Sequence, residues 1–221
     1  MSLPILSLLE TRVVGVLVEK QHTVPDTYPL TLLALTAGCN QKTSRDPILN
    51  ATESEVQAAV DHLKILSLVI ESSGGRVMRY AHNAGRVLGV PTQAVALIAA
   101  MMLRGPQTVG ELRINCDRLH RFADISTVEA FLQELVARAA GPLVVELPRQ
   151  PGARETRWAH LLSGPPAEET LRPAVVEAGG EIVAASEIAA LKANVANLTD
   201  EVAALKATVA RLCAELGSPS P

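Results

Sequence analysis

The run Thr52-Glu-Ser-Glu-Val-Gln-Ala-Ala-Val-Asp-His-Leu-Lys-Ile-Leu66 leads through Leu68-Val-Ile-Glu-Ser72 and Gly74-Gly75 into Arg76-Val-Met-Arg-Tyr80. Thr52 offers a hydroxyl to free amides, and Glu53 and Glu55 place carboxylates at the positive end of a helix. Val56, Ala59, Val60, Leu63 and Leu66 recur at helical spacing and predict its buried face. The two β-type runs around the glycine pair predict a hairpin. Upstream, Leu9, Val13, Val16 and Leu17 predict a helix over Leu6–Gln21. Leu30, Leu33, Ala34 and Ala37 predict a second over Pro29–Cys39, with Pro29 in its first turn. The polar segment Asn40–Asn50, broken by Pro47, predicts a long turn. Three helices followed by a hairpin is the order of a winged helix.

The same order recurs. Thr92–Leu103 is an apolar first helix, Thr108-Val-Gly-Glu-Leu112 opens a second, and Ser126 is placed to cap a third that carries Val128, Phe131, Leu132 and Leu135. Leu143–Leu147 and Thr156–His160, around Pro148-Arg-Gln-Pro-Gly152, predict a second hairpin. Val56 and Leu63 match Val128 and Leu135 at a shift of 72, and the second helices match at about 80. The chain therefore divides into winged-helix domains over 1–84 and 85–162. A Pro- and Gly-containing linker over 163–180 follows, then a coiled-coil helix over 181–217. The expected class is mainly α with small β-hairpins, an α+β fold.

That last helix has its own pattern. Ile188, Leu191, Val195, Leu198, Val202, Leu205, Val209, Leu212 and Leu216 are spaced alternately by three and four residues. β-branched residues at most a positions with Leu at d favour two parallel strands. Glu187 with Lys192, and Glu201 with Lys206, have the five-residue g-to-e′ offset of a parallel dimer. The alternative is an amphipathic helix docked on its own chain; the strict spacing and charge pairing favour a homodimer seam.

Composition narrows the function. The 221 residues carry a net charge of -3. Residues 1–162 hold 16 Lys+Arg and 15 Asp+Glu, and residues 163–221 hold 4 and 8, so neither part has the basic excess typical of a phosphate-binding protein. Five aromatics, Tyr28, Tyr80, Phe122, Phe131 and Trp158, are too few for stacking on single strands. The longest apolar run, Ala94–Leu103, is too short to cross a membrane, and the first residues lack a basic secretory n-region, so a cytoplasmic protein is expected. Cys39, Cys116 and Cys213 have neither disulfide-framework nor metal-site spacing. Cys116 and His120 are four apart but lack a third ligand. Phosphate-loop, dinucleotide and nucleophile-elbow motifs do not occur, so the expectation is no enzyme, cofactor or metal.

Several stretches resemble the YceH-like family of uncharacterised bacterial proteins. They are Leu9-Glu-Thr-Arg-Val-Val-Gly15, Glu19-Lys-Gln21, Tyr28-Pro-Leu30, Ala34-Leu-Thr36, Cys39-Asn-Gln-Lys42 and Glu53-Ser-Glu-Val56. Further on come Arg104-Gly105, Gly110-Glu-Leu-Arg113, Arg118-Leu-His120, Phe122-Ala-Asp124, Gly141-Pro-Leu-Val144 and Leu147-Pro-Arg149. The resemblance covers roughly residues 6–164. It implies two tandem winged-helix domains and no assigned activity.

A winged helix commonly reads DNA with its third helix in the major groove and its wing on phosphate. Here the third helices are acidic: Thr52–Leu66 carries three acids and one base, and Ser126–Arg138 carries Glu129 and Glu134 against Arg138. Basic residues sit elsewhere. Lys42 and Arg45 lie in the first long turn, Lys64 at the end of the first third helix, and Arg76 and Arg79 on the first wing. Arg113, Arg118 and Arg121 precede the second third helix, and Arg149, Arg154 and Arg157 lie on the second wing. These eleven are the candidate phosphate contacts, against the alternative of ordinary solvated surface. Glu19-Lys-Gln21 and Cys39-Asn-Gln-Lys42 are either a site joining two helix ends or simple helix caps. The leading expectation is a dimeric, DNA-associated, regulator-like protein. The alternative is a protein-interaction scaffold using the winged helices as adaptors.

Overall fold

The computed structural model describes residues 5–73 and 77–165. Helix α1 spans Leu8–Thr23, β1 Leu30–Thr31, α2 Leu32–Cys39, α3 Glu53–Ile65, β2 Val69–Ser72, β3 Arg79–His82 and α4 Ala84–Leu88. Then come α5 Thr92–Arg104, α6 Val109–Asn115, α7 Ile125–Val136, β4 Val144–Glu146 and β5 Trp158–His160. The protein is mainly helical, with small antiparallel strand sets. The linker beyond residue 165 and all nine seam positions lie outside the described residues.

Side chains fix where the helices start. Ser7 and Glu10 form a reciprocal capping box on α1, Thr52 and Glu55 on α3, and Thr108 and Glu111 on α6. Two starts differ from the sequence expectation. Pro29 stands outside α2, because the Thr31 hydroxyl accepts from the Ala34 amide and the preceding residues form strand β1. Helix α7 begins two residues earlier than a Ser126 cap would allow, because the Asp124 carboxylate accepts from the Thr127 amide at 2.7 Å. The short helix α4 was not expected; Gly89, at φ +62°, ends it in the left-handed region.

β3 lies between β1 and β2, pairing antiparallel with both. Leu30 opposes Tyr80, and Val69 opposes His82. In the second half β4 pairs with β5, and Gln107 bridges Trp158 just as Leu30 bridges Tyr80. Leu30 and Gln107 stand 77 residues apart, and each directly precedes the threonine that caps the next helix. The duplication therefore extends to strand pairing. The pairs Val56/Val128 and Leu63/Leu135 are all buried, as their shift of 72 requires.

One hydrophobic core runs through both halves. α1 is buried all round from Glu10 to Val18, beyond the single stripe that Leu9, Val13, Val16 and Leu17 mark. The second cover is α5, itself buried from Ala94 to Leu103. Close approach depends on glycine at two places on this helix layer. A Cβ on Gly15 would stand 3.0 Å from Leu103 Cγ, and one on Gly38 would stand 2.6 Å from Val16 Cγ1. Gly38→Ala is expected to cost about 1–3 kcal/mol by overpacking. In a urea-denaturation double-mutant cycle with Val16→Ala, the pair should lose less than the sum of the singles; additive costs would contradict the close α1–α2 contact.

Candidate functional site

The long turn after α2 is fastened from inside. The Asn40 amide donates to Ala51 O at 2.7 Å, and its carbonyl accepts from Ala51 N at 2.8 Å. Asn40 thus caps α2 with its backbone amide, which donates to Thr36 O at 3.1 Å, and closes the turn with its side chain. Arg12, wholly buried on α1, donates to Cys39 O at 3.2 Å and to Pro47 O at 2.7 Å. Burial and the nearby positive charge of Arg45 both lower its affinity for its proton. Arg45 turns inward, donating to Gly38 O and Ser44 O and forking onto both Glu19 oxygens at 3.1 and 2.6 Å. Burial alone would raise the Glu19 pKa. The Arg45 hydrogen bonds and charge outweigh it and hold the carboxyl below its ordinary value.

This removes Arg45 from the surface. Replacing it by Met leaves Glu19 buried without its main cation, and breaking such a pair costs about 3–5 kcal/mol. Arg45→Met should therefore lower the urea midpoint steeply. Arg45→Met combined with Glu19→Leu should recover much of the loss; a double variant as unstable as the single would contradict the ion pair's role.

The other expected cations divide sharply. Lys64 pairs with Glu71. Arg79 donates to Thr27 O and Pro29 O, bracing the loop before β1. Arg113 donates to Ala123 O, and Arg157 to Pro106 O at 2.9 Å with Glu111 at 3.4 Å. Arg121 is highly exposed, 3.7 Å from Asp117. Lys42, Arg118, Arg149 and Arg154 are exposed and form no ion pair among the described residues. Arg76 lies outside the described residues.

A cleft of about 270 Å³ lies where the two halves meet. The end of α1 contributes Glu19 and Lys20, the turn contributes Gln41, Thr43 and Ser44, and the α5 and α6 ends contribute Arg104, Asn115 and Arg118. Leu103 and Leu119 supply an apolar wall. A shallower trough of about 280 Å³ shares Ser44, Arg104 and Asn115 and reaches Arg157 and Glu111. Two stitches hold the cleft together: Arg104 donates to Ser44 Oγ at 2.8 Å, and Asp46 N donates to Leu103 O at 2.8 Å. The stretches Glu19–Gln21 and Cys39–Lys42 do meet here, through Lys20 Nζ donating to Gln41 Oε1 at 3.3 Å. Arg104 was missed, since nothing local distinguishes it from any basic residue in a last helical turn.

The remaining reactive groups are shielded. Burial pushes the Cys39 and Cys116 thiols up to about 12, so neither supplies a thiolate near neutral pH. Cys116 Sγ donates to Ala96 O, and His120 meets the Phe122 ring edge-on. Among the described residues no group of three or more His, Cys, Asp and Glu side chains could hold a metal ion. No described helix is long and apolar enough to cross a membrane.

Comparison with known proteins gives the chain's family. Residues 6–153 match the family described as "Protein of unknown function, DUF480". A UPF0502 protein of Methylibium petroleiphilum is 64% identical over 193 residues, covering 87% of this chain and 82% of its own length. One of Burkholderia orbicola is 60% identical over 95% of this chain and 88% of its own, and one of Dechloromonas aromatica 67% over 75% and 78%. The chain belongs to the DUF480, or UPF0502, family of uncharacterised bacterial proteins.

Proposed function

We propose that this protein is a non-enzymatic, tandem winged-helix adaptor that binds a protein partner and pairs with a second copy through residues 181–217. The duplicated order of three helices and a strand pair supports the winged-helix reading, with α3 and α7 as the third helices. The carrying observation is the chemistry of those two helices. α3 exposes Glu53, Glu55 and Asp61, and α7 exposes Glu129 and Glu134. Carboxylates on a helix that enters a DNA groove are repelled by phosphate. Beside α3, Ile65 is 80% exposed and Ile70 50%, which suits an apolar contact rather than a phosphate one.

DNA association is the second reading, supported by Lys42, Arg118, Arg121, Arg149 and Arg154 at the surface. Titration of a labelled duplex at about 50 mM salt separates the two. The adaptor reading expects no saturable binding up to roughly 100 µM protein. Saturable binding that weakens with salt, and is lost in Arg149→Glu with Arg154→Glu, would overturn it and establish the DNA reading.

Pairing has its own test. The full chain should sediment as a dimer, and a chain ending at residue 180 as a monomer. A truncated protein that still sediments as a dimer would refute the seam.

A further inference from the structure

We infer that the cleft between the end of α1, the turn at 41–44 and the ends of α5 and α6 is a binding site for a small organic phosphate monoester. The inference is independent of whether the protein's macromolecular partner is protein or DNA.

Charge is the first argument. Lys20, Arg104 and Arg118 converge on the cleft, and its carboxylate, Glu19, is already forked onto Arg45. Three cations therefore line the cleft beside one carboxylate, which is bound by Arg45 and lies 3.3 Å from Lys20 Nζ. Neither Arg104 nor Arg118 forms an ion pair among the described residues. A surplus of this size suits a dianion.

The ordinary explanation for basic residues at helix ends is that they complement the terminal carbonyls. Several of those carbonyls are bonded without them: Val24 N donates to Lys20 O, Gly105 N to Met101 O, Asp46 N to Leu103 O, Cys116 N to Leu112 O and Asp117 N to Ile114 O. Arg104 instead donates to a side chain, Ser44 Oγ, across the junction. Arg118 is therefore available to a ligand, with Lys20 and Arg104 beside it on their bonds to Glu19, Gln41 and Ser44.

Shape is the second argument. A duplex backbone needs a convex or open basic surface, whereas these cations line a cleft of about 270 Å³. That volume lies just below the roughly 300 Å³ at which ordinary small-molecule sites begin. Ser44 and Asn115 offer hydrogen bonds to phosphate oxygens, and Leu103 and Leu119 give an attached organic group an apolar wall. A monoester fits both halves of this lining better than a bare inorganic anion does.

The test is isothermal titration of the full-length protein with glycerol 3-phosphate and with adenosine monophosphate, at ionic strength matched with sodium chloride. At least one should bind saturably with one site per chain. Arg118 is exposed and makes no hydrogen bond among the described residues, so Arg118→Gln should keep the parent melting curve while weakening binding by roughly tenfold. Arg104→Lys, which keeps the charge but loses the fork, should weaken it as well. Arg149→Gln, on the second hairpin, should bind as the parent does. The proposal is overturned if neither ester saturates, or if Arg118→Gln binds both unchanged. It is equally overturned if the esters fail while a duplex binds and Arg118→Gln abolishes that binding, which would give the cluster to backbone phosphate.

Discussion

A guanidinium cannot shed its proton at any pH a protein meets, so burying one obliges the chain to bring acceptors to it. Arg12 imposes that obligation on this fold. It is fully enclosed on α1, and no carboxylate reaches it; Cys39 O and Pro47 O do, while its Nε has no partner. The turn after α2 must therefore fold back over α1. That return path carries Arg45 inward as well, where Glu19 answers its charge. It also brings Ser44 and Asp46 against the end of α5, so a charge buried in the first half positions the contacts that hold the second.

The shared helix layer explains why the two duplicated halves do not behave as separate bodies. A unit of about 75–85 residues buries too little surface to be strongly stable by itself. Here the first helix of each copy covers the first helix of the other, and one hydrophobic core spans both sides of the boundary after residue 84. The duplication is visible in strand pairing, yet the copies have diverged at its centre. Where the first has an apolar Leu30, the second has Gln107, buried, donating to Ala100 O and accepting from Asn115 at 2.6 Å. The second copy thus replaces a packing contact by a polar one that ties the ends of α5 and α6 beside the cleft.

Much of this was legible in the chain because burial follows periodicity. Val56, Val60 and Leu63, and Val128, Leu132 and Leu135, announce their helices and lie buried in them. The misses have physical reasons. Two-residue strand β1 is too short to show alternation. Ser126 and Asp124 are both good cap residues two positions apart, and only the backbone path decides between them. Arg45 looks solvated because charged residues in polar turns almost always are; its burial depends on Glu19, twenty-six residues away. Likewise Arg12 sits in an apolar helix with nothing local to say whether it points inward. The cleft gathers side chains from α1, the turn, α5 and the α6 end, a convergence that no linear spacing encodes.

The close fit around Gly15 has a consequence for synthesis. The backbone there is shaped to receive Leu103 and Met102, some ninety residues further along the chain. As the nascent chain leaves the ribosome, the first three helices and their strands can assemble while one flank of α1 stays uncovered. That flank is completed only when α5 has emerged. The environment of α1 is therefore finished late, and the interval before α5 arrives is when this chain is most exposed to misassociation.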